Sequence, residues 1–384
     1  MSAHDRTLKV LHVASFAGNI GDLANHAGAR RLMREQLGFD FEFENLEIRE
    51  FYWGKRRFDD DFVDYANHFD LLLIGGGNYF ELWVDRSATG TSIDISAECL
   101  SRLKVPTVFF ALGVDTGQGY SALAAQRFSS FMTTVLARED MFVCVRNDGS
   151  SLALREVLGE STAERISVMP DGGFFADSSN ALPARGRPPR IGINIAGDML
   201  DRRFSQGLAV EGFLAELSAA CIRLLDTIPS LRVELIPHIW RDSVFIAQLL
   251  PMIPDPYLRR RVIVGTLDPT HEGLEAFLNS YRSFDLVLGM RFHANVCPIG
   301  MRVPSRGLLT YPQVKHLYDE LGMTDRLLDV SKVGFGEHLA ETAFTDLSDS
   351  WHHRQALDAC VANLQTQARR TLNGLRDWLE TRCC

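Results

Sequence analysis

The sequence predicts an α/β protein of two doubly wound domains facing a cleft. Three observations carry this. Short runs that are apolar from end to end alternate with helix-periodic stretches, the pattern of parallel strands covered on both faces. The alternation runs twice, broken once by the Pro-, Arg- and Gly-rich "SSNALPARGRPPR" at 178–190, which reads as an interdomain linker. And 384 residues, 46% of them apolar, are more chain than one core ordinarily uses.

In the first series, "LKVLHVASF" (8–16) is a buried strand and "DLANHAGARRLMREQLG" (22–38) an amphipathic helix stopped at Gly38. "FEFENLEI" (41–48) is the second strand, "FDLLLIGGGNYF" (69–80) a third that breaks into a glycine turn, and "VPTVFFALGVD" (105–115) the fourth. A helix over 124–140 leads to "MFVCVRNDGSSLALREVLG" (141–159), again strand, turn and helix, and "RISVMPDGGFFA" (165–176) closes the series as a strand. The second series has strands in "RIGINIAG" (190–197), "LRVELIPHIW" (231–240), "RVIVGTLD" (261–268), "FDLVLGMRF" (284–292) and "VPSRGLLT" (303–310), with helices over 211–227 and 272–283. The tail from 351 to about 382 is helix-periodic with no strand of its own, so it is expected to cross back onto the first domain. The expected boundaries are therefore 1–183, 184–350 and 351–384.

A net charge of −9 and a pI near 5.7 argue against a general nucleic-acid binder. The basic clusters "KRR" (55–57), "RGRPPR" (185–190) and "RRR" (259–261) read as solvated faces or linkers. Seven scattered cysteines, none at metal-ligand spacing, fit a reducing compartment. The opening residues lack the pattern of a secretory leader, and no apolar run reaches the roughly 20 residues that span a bilayer. The expectation is a cytoplasmic protein, at most peripheral at the inner membrane surface, with no transmembrane segment.

Chemistry-bearing residues gather where strands end. "AGNIGD" (17–22) offers Asn19 and Asp22 at a helix start, with capping as the plainer role for Asp22. "IGGGNYF" (74–80) places Asn78 in a glycine turn, without the spacing of a dinucleotide fingerprint. "VCVRNDGSS" (143–151) brings Arg146 out of an apolar strand just before a helix, a position that suits a phosphate or carboxylate. "LIPHIWRD" (235–242) adds His238 and Asp242, and Lys315 and His316 stand in a loop after the last strand. "GMRFHANVCPIGM" (289–301) aims Arg291 and His293 at one turn, with Asn295 opening a helix whose free N–H groups favour an anion. Several cationic turns converging on one cleft suggest an anionic small-molecule substrate. No metal cage, Walker loop or nucleophile elbow is present in the pattern, so neither metal nor cofactor is expected.

In this order, "GNIGD", "IGGGN", "ALGVD", "VRNDGS", "PDGGF" and "MRFHA" resemble the polysaccharide pyruvyl transferase family, over roughly residues 15–325. The resemblance implies a GT-B-like pair of Rossmann-like domains. It also implies transfer of a pyruvyl group from phosphoenolpyruvate to a sugar of an exopolysaccharide or its precursor, usually as a ketal. It implies donor contacts from Arg146 and His293, with Lys315 placed like a further donor cation, while Asn19 and Asp22 face the acceptor. Arg291 joins the donor set by its place beside His293, or else turns inward and holds the loop by bonding backbone carbonyls, and Asn78 and His238 join the acceptor set. On this reading His293 is the acid and Asp22 the candidate base. The acceptor is a saccharide, free, lipid-linked or nucleotide-linked. The competing reading is a GT-B glycosyltransferase with a nucleotide-sugar donor, and a third is an anion-binding scaffold.

Overall fold

The computed structural model describes residues 7–177, 179, 186–205 and 207–383. Most of the stretch expected as a linker, residues 178 and 180–185 with the 183/184 boundary, lies outside them. The described chain forms two compact units. The first holds the residues up to Phe16, Asn25–Gly172 and those from Leu364 onward; the second holds Ala17–Ala24 and the described part of 173–363.

The first unit is built on β1 (Thr7–Ala14), β2 (Asp40–Glu47), β3 (Leu71–Gly75), β4 (Phe80–Glu81), β5 (Thr107–Leu112), β6 (Val114–Asp115), β7 (Met141–Arg146) and β8 (Ser167–Met169). Six of these make one parallel sheet in the order β2-β1-β3-β5-β7-β8. All residues of β3 and β5 are buried, as strands covered on both faces require. β4 and β6 pair with each other in a separate two-stranded parallel ribbon. They are only two residues each and sit inside runs that read as single strands, so no periodicity reveals them. The run 165–176 is likewise not one strand. β8 stops at Met169, and Gly172–Phe175 turns as a 3₁₀ helix.

The second unit contributes β9 (Arg190–Asn194), β10 (Arg232–Leu235), β11 (Val262–Val264), β12 (Leu286–Gly289), β13 (Ser305–Leu309) and β14 (Leu327–Asp329). All pairs are parallel, in the order β11-β10-β9-β12-β13-β14. That is the dinucleotide-fold order 3-2-1-4-5-6, whose direction of winding reverses between β9 and β12. In the first unit the reversal falls between β1 and β3. Ligands of such sheets sit beyond the carboxyl ends of the strands at the reversal. β13 is therefore not the last strand, and residues 312–320 are a helix rather than a loop.

The C-terminal helix runs from Ser350 to Arg382. From Leu364 it belongs to the first unit, later than the expected 351. Leu364, Ala368, Leu372, Leu375 and Leu379 are buried at helical spacing along it. Fully burying one such leucine stabilises by about 1.5–3 kcal/mol. Thr371 Oγ1 donates to the Val168 carbonyl at 2.8 Å, and Trp378 Nε1 donates to the Glu139 carbonyl at 2.8 Å. The described cysteines are all free thiols.

Candidate functional site

In the second unit the turn after β12 is fixed from both sides by buried amides. Asn194, ending β9, accepts the Arg291 N–H through Oδ1 at 3.0 Å and donates Nδ2 to the Ile236 carbonyl at 2.8 Å. Asn295 donates to the carbonyls of Gly289 at 3.0 Å and Arg291 at 2.8 Å, and accepts from the Tyr318 hydroxyl at 2.9 Å. The helix starts at His293 rather than Asn295. Its early N–H groups are not open to an anion as the sequence suggested. Those of Ala294 and Asn295 bond back to the carbonyls of Arg291 and Phe292 at 3.1 and 3.0 Å, closing a tight first turn.

Arg291 faces inward. Its Nε and Nη2 form a fork with Asp242 at 2.7 and 2.6 Å, and Nη2 lies 3.0 Å from Asp198. Asp242 has no exposed surface and also accepts the N–H groups of Gly197 and His238 at 2.9 Å and of Ile239 at 3.2 Å. Burial alone would lower the Arg291 pKa; the hydrogen bonds and charge of Asp242, with Asp198 behind it, raise it. Arg203 also reaches Asp198, at 3.4 Å. Burial works against the charge of Asp198, but Arg291 and Arg203 prevail and hold its pKa down. Two cations and two carboxylates thus balance one another. Of the two readings of Arg291, the contacts match the inward one, with the difference that its fork is filled by Asp242 rather than by backbone carbonyls.

His293 is 7% exposed, and its Nδ1 lies 3.8 Å from Asp22 Oδ1. Asp22 sits in the first turn of the helix Ile20–Gln36. Gly21 makes the approach possible, because a Cβ there would stand 2.6 Å from His293 Cβ. Asn19 Oδ1 accepts the Gly21 N–H at 3.0 Å, which makes Asn19 the cap of that helix. The Ile20 N–H donates to the His238 carbonyl at 3.2 Å. These contacts fasten "GNIGD" to the second unit, although the sequence reading placed it in a first domain of 1–183.

Two candidates lie elsewhere. The His238 side chain is fully buried, with Nε2 2.7 Å from the Tyr281 hydroxyl and its ring edge-on to Phe277 at 5.1 Å. Burial pushes its pKa well down, and the charges of Arg291 and His293 add to this, so it is neutral. With no exposed surface it cannot touch a sugar; it braces the turn through its carbonyl. Lys315 stands in the helix Pro312–Glu320, half-exposed and paired with Asp319 at 2.6 Å. No described ion pair joins it to the His293 cluster. His316, the next residue, lies in the same helix.

In the first unit Arg146 ends β7 with 2% exposure. Its Nε and Nη2 meet Asp148 at 2.8 and 2.7 Å, and Nη1 meets Asp171 at 3.2 Å. Burial opposes its charge, but the two carboxylates outweigh this and raise its pKa. This too corrects the picture of an open cation. Asn78 donates Nδ2 to Asp115 at 2.8 Å, while its Oδ1 is buried with no hydrogen-bond partner among the described residues. Gly113 lies between Asn78 and Arg146, where a Cβ would come within 2.3 Å of Asn78 Oδ1 and 2.8 Å of Arg146 Nη2. Asp171, in "PDGGF", and Asp198 were missed as partners, since nothing in spacing along the chain joins them to an arginine. Among the described residues no group of three or more His, Cys, Asp or Glu side chains could hold a metal ion, and no helix is long and apolar enough to cross a membrane.

Comparison with known proteins adds to this geometry. The family model described as polysaccharide pyruvyl transferase matches residues 19–311. No curated protein matches the chain in sequence. Among solved structures, a glycosyltransferase from Rickettsia africae is 10% identical, with 97% of this chain and 98% of that one covered at a TM-score of 0.56. A Listeria monocytogenes chain described as a UDP-N-acetylglucosamine 2-epimerase is 12% identical, covering 91% and 90%, also at 0.56. S. aureus MnaA, solved with UDP, is 11% identical, covering 90% of each chain at 0.50. At such identities the likeness shows the fold alone, which is the GT-B type.

Proposed function

The chain belongs to the polysaccharide pyruvyl transferase family, and on that premise we propose that it moves the enolpyruvyl group of phosphoenolpyruvate onto a saccharide of an exopolysaccharide or its precursor. The observation that carries the chemistry is the His293–Asp22 contact of 3.8 Å beyond the carboxyl ends of β9 and β12. Protonated His293 gives its proton to the methylene carbon of the donor, leaving cationic character at the neighbouring carbon. A sugar hydroxyl attacks that carbon while Asp22 takes the hydroxyl proton. The C–O bond to phosphate then breaks, a second hydroxyl attacks the same carbon and passes its proton to the now neutral His293, and the ketal is closed.

The cations divide by their partners. Arg146 and Arg291, each held by two carboxylates, fix the ends of β7 and β12 within their own units. Lys315 is different, because an exposed i,i+4 pair such as that with Asp319 is worth only about 0.3–0.5 kcal/mol and yields readily to a phosphate. On this reading Lys315 meets the donor's phosphate and no divalent metal takes part, so a chelator is expected to leave the rate unchanged. Asn19 serves the helix start that presents Asp22.

The test is phosphate release from phosphoenolpyruvate with a panel of glycans, read together with the acceptor mass gain of one pyruvyl ketal. Saccharide-dependent release with that gain supports the reading. Release of a nucleotide from a sugar nucleotide, with no use of phosphoenolpyruvate, would establish the glycosyltransferase instead.

A further inference from the structure

The first unit carries a cavity of about 670 Å³ that none of the chemistry above uses. One wall is the segment after β2, with Tyr52 and Arg57; the other is the segment after β4, with Arg86, Ser92 and Asp94; Glu81 of β4 lies between them. A bridge between Phe58 and Ile95 joins the two walls. The second wall is held in place before any ligand arrives. Arg127 Nη1 donates to the Ser87 carbonyl at 3.1 Å, Thr89 Oγ1 donates to the Ile93 carbonyl at 2.7 Å, and Asp94 accepts the Ala88 N–H at 2.6 Å.

Its charges are unusual. Most arginines described above are committed to carboxylates, yet Arg57 and Arg86 make no ion pair among the described residues and both line the cavity, exposed. Two guanidinium groups without ion pairs lining one cavity suit an anion, since each offers a planar fork of donors. Between them are groups of another kind. Tyr52 is 38% exposed, Ser92 donates its hydroxyl to Glu81, and Glu81 is largely withdrawn from water. Burial pushes the Glu81 carboxyl up to about 7, against the Ser92 hydrogen bond and helped by the charge of Asp115. Near neutrality it can donate to or accept from a hydroxyl. An aromatic face, a hydroxyl and carboxyl groups suit a polyol, and the arginines suit a charge attached to it.

We propose that this cavity binds an anionic saccharide, with Arg57 and Arg86 gripping its phosphate or carboxylate and Glu81, Ser92 and Asp94 its hydroxyls. The word saccharide rests on the transferase reading; the anion site rests on the two arginines alone. It also gives the basic cluster at 55–57 a role that the sequence alone read as a solvated face.

Saturation-transfer NMR on the full chain tests this with three millimolar probes: glucose 1-phosphate, methyl β-glucuronide and the neutral methyl β-glucoside. One or both anionic probes should bind well ahead of the neutral one, and which of the two binds names the anion. The Arg57→Ala, Arg86→Ala double variant should weaken that binding by about tenfold or more, as loss of hydrogen bonds to a charged group implies. Both side chains are exposed, so its melting point should match the parent; if it does not, the Arg→Gln pair is used instead. Equal binding of the neutral probe, anion binding unchanged by the double variant, or no binding by any probe would overturn the proposal. The titration needs no turnover, so it can fail while phosphate release succeeds, or the reverse.

Discussion

Replacing Arg291 by alanine separates a cation that holds the site from one that holds the donor. The change leaves Asp242, which has no exposed surface, with three N–H donors but no counter-charge. Breaking a buried ion pair from one side costs about 3–5 kcal/mol. The lower end applies here, because the three amides still satisfy the carboxylate and Asp198 retains Arg203. About 3 kcal/mol corresponds to a melting-point fall of roughly 6–12 °C for a unit of this size. Urea and thermal unfolding of the full chain measure it, with the KM for phosphoenolpyruvate recorded beside them. Asp242→Asn, which keeps shape and most hydrogen bonds, completes a double-mutant cycle whose coupling should lie within the 0.5–3 kcal/mol of interacting neighbours. A stability change under about 0.5 kcal/mol, accompanied by a raised KM, would refute the argument. Arg291 would then be a donor contact after all.

Three further outcomes follow from the contacts. His293→Ala should melt near the parent yet lose at least about 10²-fold in turnover, and near-normal turnover would make the histidine structural. Gly21→Ala should displace His293, since the new Cβ would lie 2.6 Å from His293 Cβ; a stability loss of about 1–3 kcal/mol and a fall in turnover are expected, and an unchanged rate would show that His293 does not need its place beside Asp22. Glu81 sets a pH dependence: a carboxyl raised from 4.5 to about 7 on folding holds its proton longer in the folded chain, so stability falls as pH climbs through that window. The whole fall is about 3 kcal/mol. Glu81→Gln should flatten that slope in denaturant melts at a series of pH values, and an unaltered slope would show that Glu81 titrates normally.

The sheets were legible because their inner strands are apolar throughout, as "LLLIG" and "TVFFAL" show. What escaped was short or paired at a distance. β4, β6 and β14 are two or three residues long, below any period that could be counted. The strand-end residues were found because polar groups stand out after apolar runs, and the structure brings Asp22 and His293 together from 271 positions apart in "GNIGD" and "RFHA". Their partners were not legible. Nothing along the chain says that Arg146 belongs to Asp171, or Arg291 to Asp198. Exposure misled in the other direction for His238, whose place at a strand end looks identical to His293 in sequence but is closed by Tyr281 and Phe277.

The return of the C-terminal helix sets a timetable for biosynthesis. The first unit has the bulk of its sheet by Gly172, but the leucines that cover it from Leu364 onward follow the whole of Gly173–Asn363. At ribosomal rates of about 5–20 residues per second, that interval is roughly 10–40 s. Through it the nascent sheet displays the apolar surface that Leu372, Leu375 and Leu379 later bury. A truncated first unit ending near Gly172 inherits that bare surface permanently, so it will precipitate or be held by chaperones, whereas the same fragment supplied with a separate peptide of residues 364–383 has what it needs to stay in solution.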